Sequence, residues 1–192
     1  MYEAKDYSHL LGLEGFSDTL LGNHFKLYQG YVANTNKVLE EINKHEPGTP
    51  EHSELTRRFG WEFNGMRLHE LYFENMVKDN KHDFADDTPL IKLIKQQFGS
   101  SEACRKDFMD KAKLRGIGWM VMYYDPQGKY IFNTWIGEHA ENHLAGCTPL
   151  VVMDMWEHAF MVDYGLDKGA YINAFIKALD WNVAEKRFNT VQ

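Results

Sequence analysis

The chain has 192 residues and a formal charge of −7, with 21 Lys and Arg against 28 Asp and Glu. Its 44% hydrophobic and 14% aromatic content supplies a packed core and excludes a disordered polymer, while the acidic balance argues against nucleic acid as a partner. No apolar run approaches the ~20 residues of a membrane span.

The opening "MYEAKDYSHL" carries charges where a secretory leader would be apolar, so no leader is expected. Cys104 and Cys147 stand far apart, outside any C-x-x-C pair, which points to a reducing compartment and no zinc knuckle. The expectation is a soluble, cytoplasmic protein without a membrane partner.

In chain order, Ser17 caps a long helix whose apolar positions, from Leu20 and Leu21 to Ile42, recur at helical spacing until "EPG". Thr49 and Pro50 open a second long helix running to about Asn80, and the short Pro/Gly turn makes the two an antiparallel hairpin. Thr88, Pro89 and Gly99 then bound a shorter helix, and "SSEACRKDFMDKAKLRG" gives another ending near Gly116.

"WMVMYY", the turn "DPQGK" and "YIFNTWI" read as a β-hairpin, and "TPLVVMD" as a buried third strand ending at Asp154. Two further helices are expected, from Met155 to Tyr164 and from Ala170 to Arg187. The fold class is α+β: a helical hairpin domain over 1–82, then an α/β half over 83–192 with a three-stranded antiparallel sheet.

Nine histidines are present. His9, His45, His52 and His82 lie in polar or turn-like stretches and read as solvated. His24 and Tyr31 are seven residues apart, so their rings share a helix face. From the spacing alone, a hydrogen-bonded pair inside the hairpin is the favoured reading. His69 stands amid Phe63, Met66, Tyr72, Phe73 and Met76, where a lone histidine is more often a satisfied core residue than a ligand. "DMWEHAF" adds Asp154 and His158, four apart, a spacing that suits one face of a helical turn and equally an N-terminal cap followed by a core histidine. Three imidazoles and one carboxylate suit a divalent or trivalent first-row metal. No H-E-x-x-H, Glu-x-x-His, G-x-S-x-G or phosphate-loop pattern competes.

"DMWEHAF", "FNGMRLHELYFENM", "HFKLYQGYVANTN" and "GIGWMVM" together resemble the iron/manganese superoxide dismutases, with the segments in family order along nearly the whole chain. The resemblance implies metal ligands His24, His69, Asp154 and His158. It makes Tyr31 the tyrosine at the mouth of the substrate funnel, and Trp119 and Trp156 the walls of the site. Glu157 becomes the residue that reaches the partner subunit's His158 across a two-fold axis.

The implied reaction is disproportionation of superoxide to oxygen and hydrogen peroxide at one iron or manganese ion per subunit, iron being favoured. The implied assembly is a homodimer, with a tetramer as its extension. A non-catalytic metal-binding dimeric scaffold of the same fold is the alternative, and a hydrolytic zinc site a third reading.

Four departures stand out. His24 and Tyr31 are seven positions apart where the family usually has eight, so an ungapped alignment on Tyr31 would make Asn23 the ligand. His24 is preferred, with loss of a helical bulge accounting for the shift. Leu27 and Met161 replace polar funnel residues. Gly65 occupies one of the family's two glutamine places and His139 the other. His139 is therefore expected to face the water beside the metal, its tautomer set from the far side of the ring by Tyr31 or a backbone carbonyl. Lys26 is a candidate for attracting the anionic substrate, and equally a solvated surface lysine.

Overall fold

In a computed structural model, which describes residues 1–79 and 88–191, the Ser17 and Thr49 hydroxyls cap the two long helices as their positions dictate. Ser17 accepts the N–H of Leu20 at the head of α1 (Asp18–Ile42). Thr49 accepts that of His52 at the head of α2 (Pro50–Glu74). Pro50 sits in the first turn, where its missing N–H costs nothing. The two helices pack as an antiparallel hairpin, and α1 buries Leu20, His24, Tyr28, Val32 and Thr35 along one stripe. α1 is unbroken α-helix from end to end, with no bulge.

Thr88 and Pro89 begin α3 (Pro89–Phe98), which Gly99 closes at φ 84°, a conformation glycine adopts without strain. α4 (Ser101–Ala112) follows, then β1 (Gly118–Asp125), β2 (Tyr130–Gly137) and β3 (Thr148–Asp154). The sheet is antiparallel throughout, in the order β2-β1-β3. Central β1 is buried from Gly118 to Tyr124, which explains its continuous apolar run. Trp119 pairs with Asp154 at the end of the sheet that faces the helical hairpin. The expected α+β architecture is the one observed.

Several boundaries differ from expectation. α2 stops at Glu74 rather than near Asn80, and α4 at Ala112 rather than near Gly116. The segment after β3 is not one helix: a 3₁₀ turn, Glu157–Ala159, precedes the single-turn α5 (Met161–Tyr164). The last expected helix is two, α6 (Lys168–Ala178) and α7 (Trp181–Asn189). Between them Leu179 is extended and bridges to Met76, while Asp180 caps α7 by accepting the Asn182 N–H. Tertiary pairing and a cap override the helical periodicity there. Asn80, His82 and the expected domain boundary at 82 and 83 lie outside the described residues. His45 and His52 are half-buried, whereas His9 is exposed as expected.

The end of α2 is tied down by Asn75, which is fully buried. Its Oδ1 accepts the Val152 N–H at 2.9 Å and an Arg187 N–H at 3.1 Å, and its Nδ2 donates to the Leu150 carbonyl at 3.3 Å. Its own carbonyl accepts the Asp180 N–H at 2.8 Å. One amide thus joins α2, β3 and α7. Asn75→Ala is expected to lower unfolding free energy by roughly 2–4 kcal/mol, because it leaves the Val152 N–H without its acceptor and removes one of the bonds of the Arg187 guanidinium. Urea denaturation of the two proteins measures it.

Candidate metal centre

Four side chains from four segments meet where the hairpin covers the end of the sheet. His24 comes from α1, His69 from α2, Asp154 from the last position of β3 and His158 from the 3₁₀ turn. One ligand atom from each lies within 4.8 Å of all the others. The histidine Nε2 atoms converge on Asp154 Oδ2, at 3.1 Å for His24, 3.6 Å for His69 and 3.0 Å for His158. Bonds of about 2.0–2.2 Å to one ion place neighbouring donors roughly 3–4 Å apart, so these four fit a single first-row metal.

Local bonds orient the donors. Asp154 Oδ1 accepts the Trp156 N–H at 2.8 Å, leaving Oδ2 for the histidines. The same turn ends the strand and brings His158 back over the carboxylate. Asp154 and His158 therefore meet across the expected strand end and a 3₁₀ turn, and do not share one helix face. His69 Nδ1 donates to the Gly65 carbonyl at 2.6 Å, which leaves its Nε2 unprotonated. That Nε2 is buried and has no hydrogen-bond partner, as a nitrogen reserved for a metal would be.

Burial pushes His24 and His69 below the usual imidazole range. Burial would raise Asp154, but the charge and hydrogen bonds of His158 and His24 outweigh it and hold the carboxyl well below its ordinary range. The set is three imidazole nitrogens and one anionic carboxylate oxygen.

Asn23 points to solvent. The one-residue shift between His24 and Tyr31 is accommodated by the regular α-helix, which turns both residues toward the centre.

The other predicted residues, apart from Glu157, surround the cluster. Trp119 is fully buried with its ring 4.9 Å from that of His69, and Trp156 lies stacked 4.8 Å from His139. Trp119 donates its indole N–H to His139 Nδ1 at 3.0 Å, and His139 Nε2 lies 2.7 Å from the Tyr31 hydroxyl. An indole can only donate, so Nδ1 must accept and Nε2 must carry the proton. The tautomer is set by Trp119, not by Tyr31 or a backbone carbonyl as expected, and the nitrogen expected to face the water beside the metal is engaged by Tyr31 instead. Nε2–H then donates to the Tyr31 oxygen, which leaves the phenol proton free for another acceptor. Burial, with Asp154 and Glu62 nearby, pushes the Tyr31 phenol up to about 12. Glu157 is exposed, on the outer side of the turn.

Two contributions escaped the sequence reading. Trp61, eight residues before His69 on the same helix face, packs 5.0 Å from the His139 ring and closes an aromatic box with Trp119 and Trp156. Its spacing from His69 was the available signal. Gly65 carries the Tyr31 ring directly on its backbone, and an added Cβ would lie 2.5 Å from Tyr31 Cδ1. No side chain fits at Gly65 while Tyr31 stays in place, so a glutamine there is excluded.

Gly65→Ala is therefore expected to expel Tyr31 from its bond with His139 while leaving the four clustered donors in place. Spectrophotometric titration should show the phenol falling from about 12 toward an ordinary tyrosine. The His139 bond network also predicts a pH dependence. Burial pushes the His139 imidazole from 6.5 down to about 4, so between those values the unfolded chain binds more protons than the folded one. Its contribution to stability is full above 6.5 and lost as pH falls toward about 4. Metal-free His139→Gln should lose less melting temperature than the parent across that window.

Comparison with known proteins agrees with this geometry. Residues 86–187 match the family described as iron/manganese superoxide dismutases, C-terminal domain. The chain is 34% identical to "Superoxide dismutase [Fe]" of Cupriavidus metallidurans over 182 residues, covering 92% of this chain and 90% of that protein. It is 32% identical to "Superoxide dismutase [Fe]" of Aquifex pyrophilus over 196 aligned positions, 97% and 90% of the two chains. With "Superoxide dismutase [Mn]" of Haloarcula marismortui the identity is 30% over 171 residues, 88% and 83%. The chain belongs to the iron/manganese superoxide dismutase family.

Proposed function

We propose that the protein disproportionates superoxide, with one iron or manganese ion per subunit held by His24, His69, Asp154 and His158. The observation that carries this reading is the convergence of three imidazole Nε2 atoms on Asp154 Oδ2, with the His69 nitrogen buried and unpartnered. Such an ion would supply the one-electron redox change that oxidises one superoxide to oxygen and reduces another to peroxide. Iron is the favoured metal, in line with the printed names of two of the three relatives above.

The protein's own part is positional and protonic. Asp154 brings one negative charge into a site otherwise lined by imidazole and aromatic rings, which favours a cation and offsets part of its charge. Peroxide formation consumes two protons, and Tyr31 holds one beside the cluster, kept on the phenol by a pKa near 12. His139, with both nitrogens engaged, aims that phenol by donating to its oxygen. Trp61, Trp119 and Trp156 keep bulk water from the cluster.

The subunit arrangement supported is an isologous dimer. Glu157 is exposed beside His158, whose side chain is 28% accessible, and Met161, Val162 and Leu166 extend this surface at 44%, 53% and 89% exposure. In such a dimer Glu157 would meet the partner subunit's His158. The free thiols Cys104 and Cys147 support a cytoplasmic setting. No helix among the described residues is long and apolar enough to cross a membrane.

Reconstitution with iron and manganese separately, followed by assay of superoxide consumption, tests the activity; stoichiometric metal without consumption would leave only a scaffold. His24→Ala should abolish stoichiometric metal by elemental analysis, whereas Asn23→Ala should spare it. The opposite pattern would transfer the ligand role to Asn23.

A further inference from the structure

Arg58 stands eleven residues before His69 on α2, three helical turns away and on the same side of the helix. Its guanidinium is held from two directions. Nε and Nη2 meet Glu62 Oε1 at 2.8 Å and 2.6 Å, and the guanidinium carbon lies 5.3 Å from the centre of the Trp61 ring. The pair is asymmetric: the Arg58 side chain is 46% exposed and that of Glu62 only 4%. Glu62 Oε2 is buried without a partner, so the carboxylate is committed to holding Arg58. The ion pair is thus a fixed dipole, with its positive end outward and its negative end beneath.

This dipole sits at the edge of the proposed active site. Trp61 touches Arg58 on one side and the His139 ring, 5.0 Å away, on the other. Two ring contacts therefore link the cation to the His139 ring of the Tyr31–His139 pair, over a span comparable to a Debye length, which is about 10 Å at 0.1 M salt. Consistently, the Arg58 charge acts to lower the pKa of both Tyr31 and His139. The other charges bearing on Tyr31 are Asp154 and Glu62, both negative. A chain of net charge −7 repels a small anion at long range, so entry depends on local charge at the mouth.

We propose that Arg58, clamped by Glu62 and Trp61, is the residue that draws the superoxide anion to the site, a role the sequence reading offered to Lys26. It is a steering residue and touches none of the reacting atoms. The proposal rests on the superoxide reading above.

The test compares Arg58→Gln, Arg58→Lys and Glu62→Gln in the metal-loaded protein, with kcat/KM measured from low to high ionic strength. Arg58→Gln should lower kcat/KM about two- to fivefold at low salt and flatten its decline with added salt, leaving kcat and metal content unchanged. Arg58→Lys should restore most of the loss. Glu62→Gln should shift kcat/KM the opposite way, upward at low salt, because it removes the opposing charge. A purely structural ion pair would make both neutralised variants slow in parallel, and that result overturns the proposal, as does an unchanged salt slope in Arg58→Gln.

Titration with azide, a small monoanion read through the metal's absorption, gives a measure independent of turnover. Its dissociation constant should rise two- to fivefold in Arg58→Gln. If the parent protein consumes no superoxide, the functional reading fails, while the azide titration still decides whether Arg58 attracts anions.

Discussion

Everything at the centre depends on one buried carboxylate. Asp154 has no exposure, and a carboxylate there without compensation would be costly to fold. Its compensation comes from several directions: α1 through His24, the 3₁₀ turn through His158, and the chain's own Trp156 N–H. Even its backbone carbonyl is used, accepting the Tyr171 hydroxyl of α6 at 2.6 Å. A strand end thereby becomes the point on which the hairpin, the sheet and the C-terminal helices converge.

Around this carboxylate the protein builds a chain of single-direction hydrogen bonds. Trp119 can only donate, His139 must then accept at one nitrogen and donate at the other, and Tyr31 receives that proton's bond on its oxygen. An amide in place of His139 would offer donor and acceptor on separate atoms of one plane, whereas the imidazole spreads them across a ring. The ring's bulk demands room, which is found between Trp61 and Trp156 and by laying Tyr31 flat on Gly65. The histidine, the missing side chain at Gly65 and the aromatic box are one packing solution.

Beneath the site, charge fastens the elements that carry the ligands. Glu70, almost fully buried on α2, accepts the Tyr28 hydroxyl of α1 and is paired with Arg67 and Lys5. Lys5 also meets Glu74, which in turn bonds Arg187 of α7. This network adjoins Asn75, so the C-terminal end of α2 is bonded on several sides. It keeps the helices that bear His24 and His69 at one spacing. Positional precision of that kind is what a site of four converging donors requires.

The order and type of most elements were legible from local signals, because caps, prolines and a Gly stop act within a few residues: Ser17, Thr49 with Pro50, Thr88 with Pro89, and Gly99 all end or begin helices where expected. The ligand types and their family spacing were legible for the same reason, being chemistry written into short segments. What the sequence could not determine was decided by neighbours distant in the chain. The α6–α7 break follows from Leu179 bridging to Met76, and the Asp154–His158 approach from a 3₁₀ turn where a helix was expected after the strand. The His139 tautomer follows from a tryptophan twenty residues away, and the place of Arg58 from a ring contact relayed through Trp61. Local sequence determines where backbone hydrogen bonds can start and stop; only the packed structure determines which side chain loses its water to which partner, and that loss sets protonation and charge at the site.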